Sequence, residues 1–136
     1  VLLFSPPRLG ERISRLLADE CEKQDLAAAL EKAEGLFFQK LTGDEFLDEN
    51  DLTAALEEQK FTVNCRIFDQ KEERLITEKD LAFWFNAEQS RWGSFMSQNL
   101  EKSVFSAIEE AFRIRAAKGP FSWKWKSICL KASSAV

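Results

Sequence analysis

The amino-acid sequence predicts an α+β fold, predominantly helical and built as one domain over residues 1–136. Three observations carry that expectation. Apolar residues recur at the spacing of a helix face through the first sixty positions and again over about 98–117; FTVNCRIF (61–68) is rich in β-branched and aromatic residues; FSWKWK (121–126) alternates with a period of two. A chain of 136 residues buries about two-thirds of the surface its unfolded form exposes, enough for one core.

The elements follow in order. Residues 1–8 form an extended lead-in ending in SPPR. Ile13, Leu16, Leu17 and Cys21 mark one face of a first helix within 8–23, and Asp25 is placed to cap a second, whose stripe runs Leu26, Leu30, Ala33 and Phe37. Gly43 in LTGDEF offers the stop. DENDLTAALEEQ (48–59) makes a short third helix with Leu52, Ala55 and Leu56 inward and an outer face almost wholly acidic. A β-hairpin is expected next, over about 61–77, with FTVNCRIF pairing with RLIT across the polar turn DQKEE. Further helices are expected over about 78–87 and 98–117. In the latter, Leu100, Val104, Ile108, Ala111 and Phe112 form the clearest stripe, started by Ser97 or Asn99 and ended by Gly119–Pro120. A C-terminal strand puts Phe121, Trp123 and Trp125 on one face and Lys124 and Lys126 on the other, and 132–136 reads as a flexible tail.

Two family resemblances bear on the middle of the chain. Three helices followed by a hairpin make the order of elements over 8–77 similar to a winged-helix domain. In DNA-binding members the third helix enters the major groove, but here it carries Asp48, Glu49, Asp51, Glu57 and Glu58, so the resemblance implies a protein partner. As an alternative, Phe61, Cys65 and Phe68 precede Asp69 by eight, four and one residues, Leu81, Trp84 and Phe85 follow it, and Ile76 and Asp80 stand at loop positions eight and twelve. That pattern resembles an EF-hand, and a second, poorer match starts at Lys40 with Leu47 and Asp51 in the corresponding places. Lys71, Glu73 and Arg74 occupy loop positions three, five and six, where the family has oxygen ligands and glycine; the hand is degenerate and no calcium binding is expected.

The composition removes several kinds of chemistry. There is no His and no Tyr, hence no histidine general base and no zinc nitrogen ligand. No GxxxxGK or GxGxxG phosphate loop is present, Cys65 has no histidine to activate it, and carboxylate pairs such as Glu109–Glu110 or Asp48–Asp51 fit solvent-facing turns. The expectation is no enzyme, no cofactor and no metal. The cysteines, Cys21, Cys65 and Cys129, are odd in number and widely spaced, which fits reduced thiols in an intracellular, cytoplasmic protein. No apolar run approaches the ~18 residues of a membrane span, and VLLF is too short for a secretory leader, so the chain, opening on Val1, reads as an excerpt or a processed form.

Two sets of binding residues stand out. Phe83, Trp84, Phe85, Trp92 and Phe95 put five aromatics into thirteen positions, more than one helix face can hide, and together with the acidic third helix they point to contact with another protein or a second copy. The charge is uneven: residues 1–60 hold seven basic and fourteen acidic side chains, residues 103–136 six and two. The basic end offers Arg113, Arg115, Lys118, Lys124, Lys126 and Lys131 as an alternative, nucleic-acid-binding set, with Trp123 and Trp125 available to stack on bases.

Overall fold

The computed structural model describes the backbone of residues 1–6, 9–44 and 49–134, and the side chains of all of these but 41–44. The order of elements is β1 (Leu2–Phe4), α1 (Ile13–Asp19), α2 (Gln24–Asp44), α3 (Glu49–Glu58), β2 (Phe61–Arg74), α4 (Glu78–Trp84), α5 (Arg91–Asn99), α6 (Lys102–Ala116) and β3 (Phe121–Ser134). Helices take 53% of the chain beside a three-stranded antiparallel sheet of order β1-β3-β2, so the expected class, α+β and mainly helical, holds. Among the described residues no helix is long and apolar enough to cross a membrane.

The residues gather into two compact units. One comprises Glu11–Gln39 and Glu72–Trp123, the other Val1–Gly10, Lys40–Lys71 and Lys124–Val136. In the first, the helical unit, α6 packs against α1, α4 and α5. The stripes read from the sequence are the ones that face inward: Leu16 and Leu17 of α1, Leu30, Ala33 and Phe37 of α2, and Ile108, Ala111 and Phe112 of α6 are buried. Each fully buried Leu, Ile or Phe adds roughly 1.5–3 kcal/mol, and Phe112 also stacks on Phe121 at 5.9 Å between ring centres. The helix expected over about 98–117 forms as α6, over Lys102–Ala116, and a further helix, α5, precedes it. Ser90 Oγ accepts the Gly93 N–H at 3.0 Å and starts α5, which ends at Asn99, and α6 begins after Glu101. Gly119, at φ +130°, turns the chain from α6 into β3.

In the other, strand-rich unit, β1 lies antiparallel on β3 with Leu2 opposite Leu130 and Phe4 opposite Ile128. Ile128 and Leu130 are buried there, while β2, at one edge of the sheet, is exposed along most of its length. β1 arises from the extended lead-in, and β3 runs through Ser134, into the stretch assigned from sequence to a tail.

The hairpin over 61–77 is not formed. β2 is one strand of fourteen residues that runs straight through DQKEE. That segment holds no Gly, Pro or Asn to favour a turn, and β2 takes its partner from β3 instead of from RLIT. The winged-helix order of elements therefore fails at its wing. The EF-hand alternative fails as well: Phe61–Phe68 is strand where an entering helix belongs, and Asp69 is an exposed strand residue 3.7 Å from Lys126. Asp80 has another task. Its Oδ2 accepts the Thr77 N–H at 2.9 Å while Thr77 Oγ1 accepts the Asp80 N–H at 3.1 Å, a capping box that starts α4.

Candidate functional site

The helical unit contains an open cleft of about 340 Å³ walled by aromatic rings. α4 supplies Phe83 and Trp84, α5 Trp92, α2 Phe37 and Phe38, and the start of strand β3 Trp123. The capping box fixes where α4 begins, and Gly93 lets α5 close on its far end, since a Cβ at that position would collide with the Trp84 carbonyl. Trp84 is thereby held edge-on to Phe112 at 6.3 Å and tilted against Trp123 at 5.9 Å.

Two carboxylates sit in the same cleft. Glu34, 1% exposed, receives the Ser14 N–H at 2.7 Å on Oε1, and the Ile13 N–H and the Trp92 indole N–H, both at 3.2 Å, on Oε2. Arg12, the N-cap residue of α1, makes no side-chain cap, so a carboxylate from α2 takes over that duty, meets the positive end of α1 and at the same time orients Trp92. Glu11, whose side chain is 2% exposed, is bound by Arg15 through Nε at 2.7 Å and Nη2 at 2.6 Å, and Arg15 also donates to the Ser122 carbonyl at 2.8 Å. These hydrogen bonds to Glu11 raise the pKa of Arg15, whereas burial lowers that of Arg12 against the opposing charge of Glu34.

Two guanidinium groups already lie on ring faces here. Arg12 Cζ is 3.5 Å from the centre of Phe38, and Arg74, the last residue of β2, sits 4.2 Å above Trp123. Arg74 is held by its neighbour Glu72, which accepts from Nε at 2.7 Å, and its side chain remains 43% exposed.

The five predicted aromatics divide. Phe83, Trp84 and Trp92 line the cleft, and Phe83, 50% exposed, is the most open of them. Phe85 is buried against Trp92, Phe105 and Phe112, and Phe95 packs on Phe37 at 5.3 Å. Phe85 thus belongs to the core, and Phe95 is half-buried. Of the acidic set, Glu49 is half-buried and Asp51, Glu57 and Glu58 are exposed on α3 of the strand-rich unit; Asp48 lies outside the described residues.

The basic set is divided between the two units. Arg113 is paired with Glu109 at 2.8 Å and with Glu78. Arg115 is bound to Glu20 at 3.0 Å, donates to the Glu20, Gly119 and Pro120 carbonyls and lies over Phe121. Both arginines thus serve the helical unit's own packing. Lys118 is exposed in that unit, and Lys124, Lys126 and Lys131 are exposed along β3 in the other.

Sequence reasoning passed over Glu34, Phe37, Phe38, Arg74 and Trp123 as members of one site. Glu34 left one signal, a charge on the buried stripe between Leu30 and Phe37. Among the described residues no group of three or more His, Cys, Asp or Glu side chains is placed to hold a metal ion. Cys21, Cys65 and Cys129 are free thiols, and burial pushes the Cys21 thiol up to about 11. Comparison with protein-family models, with curated proteins and with solved structures gave no match to this chain.

Proposed function

We propose that the protein is a non-enzymatic interaction module, an accessory or regulatory subunit, that receives a side chain of a partner protein in the aromatic cleft. The observation that carries this reading is the cleft itself, where rings from four separate elements face one open space and Phe83 stands exposed at 50%. Aromatic side chains at an interface centre are the usual anchors of binding energy. Three free cysteines support an intracellular setting, where thiols stay reduced. A second, nucleic-acid reading draws on the exposed Lys124, Lys126 and Lys131 of β3, with Arg113 and Arg115 committed to Glu109 and Glu20.

The test is capture of binding partners from the native source by wild-type protein and by Phe83→Ser and Trp84→Ala variants, with folding checked by circular dichroism. One protein partner, retained as salt rises and lost with both variants, supports the module. Equal capture by all three proteins sinks it. Retained nucleic acid that is shed steeply with salt would favour the lysine row instead.

A further inference from the structure

We infer that the cleft receives a proline-rich segment of its partner, extended as a polyproline II helix. The inference rests on the interaction reading and names what enters. Net charge favours neither sign of ligand here. Glu11 is bound by Arg15, Glu34 is opposed by Arg12 and Arg74 is held by Glu72, so the ionic groups of the cleft are matched among themselves. The match for such a cleft is a neutral segment.

What stays open is apolar surface and hydrogen-bond donors. Phe83 is half exposed, and Trp84 beside it is only partly covered. The Trp92 indole N–H donates to Glu34, whereas among the described residues those of Trp84 and Trp123 have no acceptor, and neither is sealed from solvent. The side-chain acceptors of the cleft are the reverse, engaged and withdrawn from water. Glu34, 1% exposed, takes three N–H groups; Glu11, 2% exposed, takes the Arg12 N–H and Arg15; buried Ser90 takes the Gly93 N–H.

An aromatic cleft with spare donors and no accessible carboxylate fits a backbone that accepts and does not donate. Proline supplies one, because its tertiary amide has a carbonyl but no N–H. In polyproline II no hydrogen bond is made within the segment, so each carbonyl is free for an indole N–H, and the preformed helix loses little entropy on docking against rings. A helical ligand arrives with its carbonyls already bonded, and a strand brings N–H groups that the buried carboxylates cannot reach. The volume, about 340 Å³, is that of an ordinary ligand cleft.

The test is calorimetric titration of the whole chain with acetylated hexaproline amide, a glycine–serine hexapeptide, hexalysine and hexaglutamate. Hexaproline should give a saturable isotherm, and the glycine–serine peptide should bind roughly tenfold more weakly. Trp84→Phe and Trp123→Phe keep a ring and remove the N–H, and each should weaken hexaproline about fivefold. Should one of them fail to fold, the other decides. Unchanged binding in the folded variants overturns the assignment, as does a flat hexaproline titration, equal binding of the glycine–serine peptide, or tighter binding of hexalysine or hexaglutamate. A partner captured through Phe83 and Trp84 in the face of a flat hexaproline titration leaves the interaction module standing and removes only the proline segment. Hexaproline binding that is weakened by Trp123→Phe, together with capture indifferent to Phe83 and Trp84, supports the ligand and removes the module reading instead.

Discussion

The two units of the chain are built to different standards. Among the described residues, fourteen of the sixteen buried Ala, Leu, Ile, Met and Phe side chains belong to the helical unit, and Ile128 and Leu130, beside a buried Pro6, to the strand-rich one. Large exposed apolar residues run the other way: Val1, Leu2, Leu3, Phe61, Ile67 and Phe68 lie in the strand-rich unit, against Leu36, Leu75, Phe83 and Ile114 in the helical unit. Burial of apolar area drives folding, so the helical unit carries the stability, and the strand-rich unit rests largely on its backbone pairing. A site that must hold rings and carboxylates in fixed positions belongs in the first kind of structure. The cleft is found there.

Breaking the helical unit should cost most. Phe112→Ala removes a ring that is stacked on Phe121 and touches Trp84 and Phe85, and should lower stability by about 3–5 kcal/mol in urea unfolding. A loss under 1 kcal/mol would mean that α6 is not the centre of the core. Glu34→Ala should cost about 2–3 kcal/mol, because the Ile13 and Ser14 N–H groups and the Trp92 indole lose their acceptor in a buried place. Its tryptophan emission should also shift red as Trp92 loosens.

A smaller effect depends on pH. The Cys21 thiol is raised from an ordinary 9.0 to about 11 by burial, so the folded state holds this proton more tightly than the unfolded chain does. Its contribution to stability is complete below about pH 9 and is lost as pH rises toward 11. The urea midpoint should fall over that window in wild type and less so in Cys21→Ser. The least effect is expected on β2, where Ile67→Ala removes a side chain already 52% exposed and should change stability by under about 0.5 kcal/mol. Hydrogen exchange sharpens the contrast directly: amides of α6 should be the slowest and those of α3, which has no buried residue, among the fastest.

How much of this is legible in the sequence follows the same divide. Helix faces are local, so α1, α2 and α6 announce themselves through Leu16, Leu30 and Ile108, and the period of two announces the strand at Phe121. A strand's partner is not local. Whether Phe61–Arg74 folds back on itself or runs on is decided by β3, some sixty residues later, and the lack of Gly, Pro or Asn in DQKEE is the local sign of it. The break between α5 and α6 is harder still, because the apolar spacing of Phe95, Met96 and Leu100 carries on into Val104.

For the cleft, Phe83, Trp84 and Trp92 are visible as a local excess of aromatics, whereas Phe37, Phe38, Arg74 and Trp123 arrive from distant segments. Glu34 sits 20 and 58 residues from the donors at Ser14 and Trp92. Its role exists only once the helices have met.

The edge position of β2 has a consequence for the behaviour of the protein at high concentration. A strand edge invites a further strand, and this one displays Phe61, Ile67 and Phe68 to solvent. Two copies joining edge to edge about a two-fold axis must set one residue opposite its own counterpart. Centred on Arg66, Asp69 or Lys71, that pairing opposes like charges. The charges spaced along β2 thus act as gatekeepers against stacking into fibres, and removing them by substitution is the change most apt to turn a well-behaved chain into an aggregating one.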